Sequence, residues 1–426
     1  MRGQRRAARN SVVIIMFAAA VACAPTIGTS SDIPAAPPIQ PDMTASPGTG
    51  AVDAAVIVDV GGTADAAAPG RSDAAAPPPV VSDAATTLVD ARGDAGTVNL
   101  GGGFASTVAS GYQLLVRPRA ADGSVGTAAP FDIRGISWSP AQRGARQPDG
   151  AAYLAAADRD LPLMRAAGIN TVKSYGPLPR AVLDKLLANG IAAIVSVLVT
   201  ADDDFEAPVK ELRDHPALLM WIIGNEWNLN RLFDSCALDT CYQKVNDAAR
   251  RIKELDPNHA VATSFAPAGE VPSDNDLARL SAIDVWGLNV YSQPSFFSRF
   301  QFWRLSGQRT GIKKPMFMSE YGADAYDNRQ GHPDETAQAA ALRRQTSEIR
   351  AQLSARNPAL PCLGGTPFEW NDEWWKRGNP NAQDSGGFVH DGVAADGFAN
   401  EEWWGVVDVD RKPRLAYDVL KELYAR

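Results

Sequence analysis

Two glutamates each follow an apolar run in this sequence of 426 residues. Glu226 comes directly after LMWIIGN (219–225), and Glu320 comes after PMFMS (315–319). A charged group at the end of a buried strand is costly unless it is used. Two opposed carboxyl groups can break a glycosidic bond, since one protonates the leaving oxygen while the other attacks the anomeric carbon from about 5 to 5.5 Å away in retaining enzymes. The two glutamates therefore suit acid–base and nucleophilic chemistry.

Eight predicted strands would position these glutamates. Two segments with apolar residues at helical spacing end at Gly168 and Gly190, and a run that resembles a β-strand follows each of them. Continuous apolar strands after such helices are typical of a parallel sheet that is covered on both faces. The predicted strands span 132–138, 170–175, 191–199, 218–225, 260–265, 284–291, 315–321 and 365–371. Eight βα units in about 320 residues predict an α/β fold, the (β/α)8 TIM barrel.

Polar and aromatic residues collect where the predicted strands end. In a TIM barrel these carboxyl ends carry the active site. Glu226 and Glu320 fall on the fourth and seventh strands, across the barrel mouth from one another. The full set at the strand ends is Lys173, Tyr175, Asn225, Glu226, Asn289, Tyr291, Glu320, Glu369 and Trp370.

Several of these segments resemble glycoside hydrolases of clan A. GNEWN (224–228) and SEYGAD (319–324) resemble the acid/base and nucleophile motifs of that clan. DLPLMRAAGINTVKSY and WGLNVY are most similar to the catalytic domains of family 2 and of family 72, the β-1,3-glucanosyltransferases. FEWNDEWW and EEWWGVVD are similar to segments of bacterial family 2-like barrels. The resemblance covers most of residues 131–426.

The resemblance implies a role for each matching residue. Glu226 would be the general acid/base and Glu320 the nucleophile. Asn225 would hydrogen-bond the sugar 2-hydroxyl, and Tyr291 would hold and tune Glu320. Trp370 would form the apolar floor of the central sugar site, because a pyranose presents C–H groups to an aromatic face.

One position departs from the family pattern. The clan usually has arginine on the second strand, where this sequence has Lys173, and a lysine cannot supply a two-pronged hydrogen bond. We also expect substrate contacts from Tyr175, Trp138, Trp227, Asn289 and Glu369. For Glu369 and Glu373 the alternative is a salt bridge within a loop. Core or loop packing is the alternative to sugar stacking for Trp138, Trp227, Trp374, Trp375, Trp403 and Trp404.

These residues predict a retaining β-glycoside hydrolase or transglycosylase that needs no cofactor or metal. The expected substrate is a β-linked glucan or a related polysaccharide, and the β-1,3 linkage rests on the family 72 similarity alone. A barrel that binds glycan on the cell surface without cleaving it is the alternative from another class. An exo-acting family 2-like glycosidase is less favoured, because residues 24–105 do not resemble the jelly roll that precedes most family 2 barrels.

The N-terminal sequence predicts export. Four arginines precede the apolar run SVVIIMFAAAVA (11–22), which is too short to span a membrane comfortably. The run ends at Cys23 in a stretch that resembles a bacterial lipobox, which implies a lipid anchor on Cys23 in the cell envelope, at the outer membrane or the cell surface. An ordinary signal peptide is the alternative. We expect a signal peptide over 1–23, a low-complexity linker over 24–105 and a catalytic domain over 106–426.

Cysteine spacing and composition complete the predictions. Cys236 and Cys241 are close enough to form a disulfide in an oxidising compartment, which leaves Cys362 as a buried thiol. Hydrophobic residues make up 45% of the chain, which is ordinary globular usage and supports a sizeable core. The net charge is −8 and no basic stripe occurs in the folded part, so we expect no binding to nucleic acid. We also expect a monomer.

Overall fold

The computed structural model describes residues 102–200, 204–291, 295–389 and 396–425. The predicted signal peptide, Cys23 and the linker up to residue 101 lie outside the described residues. The strands are β1 Phe104–Ser110, β2 Gln113–Pro118, β3 Ala129–Pro130, β4 Ile133–Ser137, β5 Thr171–Lys173, β6 Ala192–Val197, β7 Leu218–Ile223, β8 Ala260–Phe265, β9 Val285–Asn289, β10 Met316–Glu320, β11 Tyr326–Asp327, β12 His332–Pro333, β13 Cys362–Gly365, β14 Gly387–Val389 and β15 Phe398–Asn400. The helices are α1 Gly150–Ala166, α2 Arg180–Ala188, α3 Glu206–Leu212, α4 Trp227–Asp234, α5 Leu238–Leu255, α6 Asp274–Arg279, α7 Phe297–Thr310, α8 Glu335–Ala351 and α9 Leu415–Tyr424.

Eight parallel strands close into a barrel, which confirms the predicted TIM-barrel fold. Their order around the barrel is β4, β5, β6, β7, β8, β9, β10 and β13, with β13 returning to β4. Seven of these strands lie within the predicted ranges. Gly168 and Gly190 end the first two helical segments with left-handed φ values of 75° and 69°. Glycine adopts this conformation without the steric cost that a Cβ brings, so both positions stop a helix as expected.

Strand β7 shows why the apolar runs are continuous. Every residue of the strand is buried. Met220 and Ile222 pack in the cluster that fills the barrel interior, whereas Trp221 and Ile223 pack in the cluster shared with the helices. Because both faces of the strand are covered, the polar alternation of a half-exposed strand is absent.

The sheet of β1, β2 and β3 closes the amino-terminal end of the barrel. Thr107 Oγ1 donates to the Leu219 carbonyl at 2.7 Å and accepts from the Ala260 amide at 3.0 Å. Phe104 packs in the same cluster as the interior residues of the barrel. Strand β1 begins two residues before the predicted start of the domain at 106. With this end covered, the open end of the barrel is the one where the strands terminate.

The eighth barrel strand lies earlier than predicted. We expected it over 365–371, and the structure places β13 at Cys362–Gly365. A Cβ on Gly364 would lie 2.0 Å from the Ile133 carbonyl oxygen, so only glycine permits this close approach. Gly364 and Gly365 make up half of β13, so the strand lacks the continuous apolar run that predicts the other barrel strands. Residues 366–370 continue beside β4, where the Trp370 amide donates to the Ser137 carbonyl at 2.9 Å.

The cysteines follow the prediction. Cys236 and Cys241 form a disulfide at the start of α5, and Cys362 is a buried free thiol. Among the described helices, none has the length and apolar character required to cross a membrane.

Candidate active site

Glu320 is fully buried at the end of β10, and three donors hold its carboxylate. Lys173 Nζ lies 2.7 Å from Oε1, and the Tyr175 hydroxyl donates to the same oxygen at 2.8 Å. The Tyr291 hydroxyl donates to Oε2 at 2.7 Å. Charge-assisted hydrogen bonds of this length are strong and directional. The three contacts fix the orientation of this carboxyl group at the mouth of the barrel.

Lys173 forms a buried ion pair with Glu320, at the position where the clan A enzymes that the sequence resembles usually have arginine. It is the last residue of β5, is buried, and lies 3.4 Å from Asn225 Oδ1 as well as beside Glu320. Burial lowers the pKa of Lys173, whereas the charge of Glu320 acts in the opposite direction. A lysine supplies a single point of charge. Tyr175 and Tyr291 supply the further hydrogen bonds to the carboxylate that the lysine cannot make.

Replacing this lysine tests its role. If Glu320 is the nucleophile that the sequence resemblance implies, Lys173→Met should lower kcat/KM by about 100-fold, because the buried carboxylate of Glu320 loses its ion-pair partner. Lys173→Arg should recover part of the loss, since it restores the charge at a longer reach. Steady-state kinetics on an aryl β-glycoside, with melting temperatures for both variants, measure the effect. Equal rates for wild type and Lys173→Met would show that the ion pair has no part in the chemistry.

Glu226 occupies a different environment from Glu320. It is half-buried and precedes α4 with a left-handed φ of 48°, a conformation uncommon outside glycine. Backbone outliers of this kind cluster at functional sites. Burial first, and the negative charge of Glu320 second, raise the pKa of Glu226 to about 8. At neutral pH the group is therefore largely protonated and able to act as an acid.

A network of amides and hydroxyls leads from Glu226 to Asn225, and Lys173 connects Asn225 to Glu320. Asn289 Nδ2 donates to Glu226 Oε1 at 3.1 Å and lies 3.2 Å from Asn225 Oδ1. Ser264 Oγ lies 2.9 Å from Asn225 Oδ1, and the Ser319 hydroxyl donates to Asn289 Oδ1 at 2.7 Å. Neither serine is among the predicted site residues. Each is the next-to-last residue of its barrel strand, β8 or β10.

Trp138 and Trp227 belong to the core. Both are fully buried. Trp138 Nε1 donates to Asp160 at 3.1 Å, and Trp227 Nε1 donates to Thr263 at 2.8 Å. Each indole thus satisfies its donor inside the protein and presents no face to a ligand. Trp138 and Trp227 therefore take part in core packing, which was the alternative to sugar stacking.

Trp370 also lies away from the position expected for a sugar platform. It is fully buried and packs near Tyr417 of α9, with 6.3 Å between ring centroids. Its ring is enclosed in the same core cluster as Tyr417, so it has no face open to a sugar. Phe368 and Trp404 instead pack against Tyr291, with centroids 6.3 and 5.2 Å away. These two rings form the aromatic wall beside Glu320.

A cavity opens beside these residues at the barrel mouth. Trp375 lines it, whereas Trp374 packs under Arg143 and Trp403 lies against Tyr326. Its lining residues are Ser139, Gln147, Tyr175, Asn225, Phe368, Glu373, Trp375 and Lys376.

Glu369 is buried beneath one wall of this cavity. Its carboxylate lies 3.7 Å from Lys376 Nζ, and the lysine lies 2.9 Å from Glu373. Lys376 is not among the predicted site residues, because a lysine in the loop sequence WWKRG is expected to be exposed to solvent. Among the described residues, no group of three or more His, Cys, Asp or Glu side chains could hold a metal ion.

Comparison with known proteins shows the fold. No family model and no curated protein matches this chain. A GH2 β-galacturonidase from Eisenbergiella tayi bound to galacturonate matches with a TM-score of 0.51 and 19% identity, over 75% of this chain and 54% of that chain. A β-glucuronidase from Ruminococcus gnavus in complex with D-glucuronic acid matches with a TM-score of 0.51 and 14% identity, over 75% and 52%. The chain spans about half the length of these structures. The match shows a barrel fold like that of GH2 proteins, as the motif resemblance implied.

Proposed function

We propose that this chain is a retaining β-glycoside hydrolase or transglycosylase that acts by double displacement. The observation that carries the proposal is the contrast between two linked carboxyl groups. Glu320 is held by Lys173, Tyr175 and Tyr291, while the pKa of Glu226 is raised to about 8. One group suits a nucleophile and the other an acid.

The first step would form a covalent glycosyl-enzyme. A Glu320 oxygen attacks the anomeric carbon, and the bond from that carbon to the leaving oxygen breaks as Glu226 transfers its proton to the oxygen. In the second step Glu226, now a carboxylate, takes a proton from water or a sugar hydroxyl. That oxygen attacks the anomeric carbon and releases Glu320. Hydrolysis or transfer results, according to which acceptor reacts.

Asn225 is positioned to stabilise the transition state. Lys173, Ser264 and Asn289 all direct donors at Asn225 Oδ1. This convergence fixes the orientation of the amide and leaves its nitrogen to donate toward the cavity that Asn225 lines. A hydrogen bond from that nitrogen to the sugar 2-hydroxyl would strengthen as positive charge develops on the ring.

For the substrate, we propose a β-linked glucan or a related polysaccharide. Activity on a panel of β-linked oligosaccharides and aryl β-glycosides tests this, with released reducing ends or aryl alcohol as the readout. Turnover of at least one member supports the proposal. Binding of glycan with no turnover anywhere in the panel would favour the alternative, a barrel that binds glycan at the cell surface without cleaving it.

We further propose that the protein is an exported, monomeric lipoprotein. The arginines and short apolar run before Cys23 support a signal peptide over 1–23, and the low-complexity composition of 24–105 supports a linker to the catalytic domain. Cys23→Ala should move the protein from the membrane fraction to the soluble fraction of the envelope. Unchanged membrane association in that variant would refute a lipid anchor at Cys23.

A further inference from the structure

Main-chain hydrogen bonds hold Glu226 on both of its sides. The Glu226 carbonyl accepts from the Leu229 amide at 2.8 Å and from the Asn230 amide at 3.0 Å. The Asn225 carbonyl, in the peptide group before Glu226, accepts from Asn230 Nδ2 at 2.7 Å. Asn230 therefore contacts both peptide groups that flank the Glu226 Cα. Because the planes of these two groups define the backbone dihedrals of Glu226, Asn230 fixes its left-handed conformation, with φ 48° and ψ 30°.

A left-handed turn over residues 231–234 follows Asn230 directly. Arg231, Leu232, Phe233 and Asp234 have φ values of 50°, 51°, 59° and 58°. None of the four is glycine, and the left-handed conformation is costly for residues that carry a Cβ. Such a backbone persists only where its surroundings hold it. Only Leu232 is buried, so the turn depends on the contacts at its two ends as well as on packing.

One contact holds each end of the left-handed turn. On the side of the active site, Asn230 Oδ1 accepts from the Phe233 amide at 3.3 Å. On the other side, the disulfide joins Cys236 to Cys241, with 5.7 Å between their Cα atoms. Cys241 lies on α5 and is fully buried in the core cluster, so the disulfide ties the end of the turn to the core. A continuous series of contacts thus leads from the disulfide through the turn and Asn230 to Glu226.

We infer that Asn230 positions Glu226 for proton transfer and that the Cys236–Cys241 disulfide maintains this position. The inference rests on the proposed function, in which Glu226 is the general acid. Asn230 acts through the main-chain carbonyls of residues 225 and 226, so it is a positioning residue. Without the disulfide, the left-handed turn relaxes toward right-handed conformations and the bond from the Phe233 amide to Asn230 breaks. A displacement of a reacting group by about 1 Å can lower a rate by about 10²-fold.

Truncation of Asn230 tests the positioning role. A misplaced acid slows the substrates that need protonation and spares those that do not. In Asn230→Ala, kcat/KM on phenyl β-D-glucoside should therefore fall about tenfold more than on 2,4-dinitrophenyl β-D-glucoside. Asn189→Ala is the matched control, because it removes a similar bond, from Asn189 Nδ2 to the Lys185 carbonyl at 2.9 Å, at the end of α2. It should keep the wild-type ratio of the two rates. An equal loss on both substrates in Asn230→Ala, or no loss on either, would overturn the inference.

Loss of the disulfide should have the same selective effect. Dithiothreitol supplies two electrons and two protons, which convert the bond to two thiols while the reductant closes to its cyclic disulfide. Once mass spectrometry shows reduction, the ratio of phenyl to dinitrophenyl kcat/KM should be about tenfold lower, and reoxidation should restore it. Cys236→Ser combined with Cys241→Ser should reproduce the loss and show no further response to dithiothreitol, since Cys362 is already a thiol. A ratio that neither reduction nor the double substitution changes would overturn the role of the disulfide.

Hydrogen exchange separates failure of the inference from failure of the proposed function, because it needs no turnover. The amides at positions 229 and 230 donate to the Glu226 carbonyl and should exchange about tenfold faster in Asn230→Ala and in the reduced wild type. Unchanged exchange in both would overturn the inference even if glycosides are hydrolysed. Faster exchange in a protein that hydrolyses no glycoside would support the hold on Glu226 and refute the hydrolase. If Asn230→Ala fails to fold, the reduced wild type still provides both measurements.

Discussion

Replacing Glu320 with alanine should reduce kcat by about 10⁴-fold, equivalent to roughly 5.5 kcal/mol of transition-state stabilisation. The loss is expected because no covalent glycosyl-enzyme can form without this carboxylate. Initial rates on an aryl β-glycoside measure it. Azide added to the Glu320→Ala variant should restore turnover and give an α-glycosyl azide, since the small anion enters from the face that Glu320 vacates.

The control for this variant is structural. Removing Glu320 leaves the buried Lys173 without its ion-pair partner, which destabilises the fold by itself. Glu320→Gln keeps the volume and one of the two acceptor oxygens, so it should be as inactive as Glu320→Ala while melting closer to wild type. Full activity in a folded Glu320→Ala would remove Glu320 from the mechanism.

Glu226→Ala should show a loss that depends on the leaving group. Sugars are poor leaving groups that need the proton from Glu226, so turnover of oligosaccharides should fall by about 10²- to 10⁴-fold. Aryl glycosides whose leaving group is an acidic phenol need little protonation. For these substrates the rate of the first step should remain close to that of the wild type. Azide should then yield a β-glycosyl azide by attack on the accumulated glycosyl-enzyme. An equal loss on both substrate types would contradict an acid role for Glu226.

The pH dependence of kcat/KM provides an independent check on Glu226. A group with a raised pKa keeps its proton up to that pKa and loses it above. For a required acid with a pKa of about 8, activity is present below pH 8 and falls about tenfold per pH unit above it. The alkaline limb should disappear in Glu226→Gln when an activated aryl glycoside is used. If the alkaline decline in kcat/KM persists in Glu226→Gln, it reports the titration of another group.

Much of the architecture is readable from the sequence because a TIM barrel repeats a simple pattern. Continuous apolar runs such as Leu218–Ile223 are long enough to show as strands, and Gly168 and Gly190 mark the ends of the helices before β5 and β6. The polar residues at the strand tips then follow from the fold rule that active sites lie at that end. Glu226 and Glu320 meet at the barrel mouth for this reason, and Lys173 and Tyr291 meet Glu320 there.

Other features depend on packing that no local pattern reveals. Trp370 and Phe368 are two residues apart, yet Trp370 packs near Tyr417 and Phe368 beside Tyr291. Strand β13 itself is hidden from an apolar pattern by Gly364 and its close approach to β4. The ion cluster around Lys376 gathers residues from 369 to 401, and its members look like ordinary surface charges until the loops fold together.

The central claim is that Glu320 and Glu226 act by double displacement. Proton NMR of the reaction on an aryl β-glycoside, recorded before the product mutarotates, reports the anomer that forms first. Two inversions predict the β-anomer as the first product. An α-anomer at the earliest time points would contradict a covalent intermediate on Glu320 and refute the proposed mechanism.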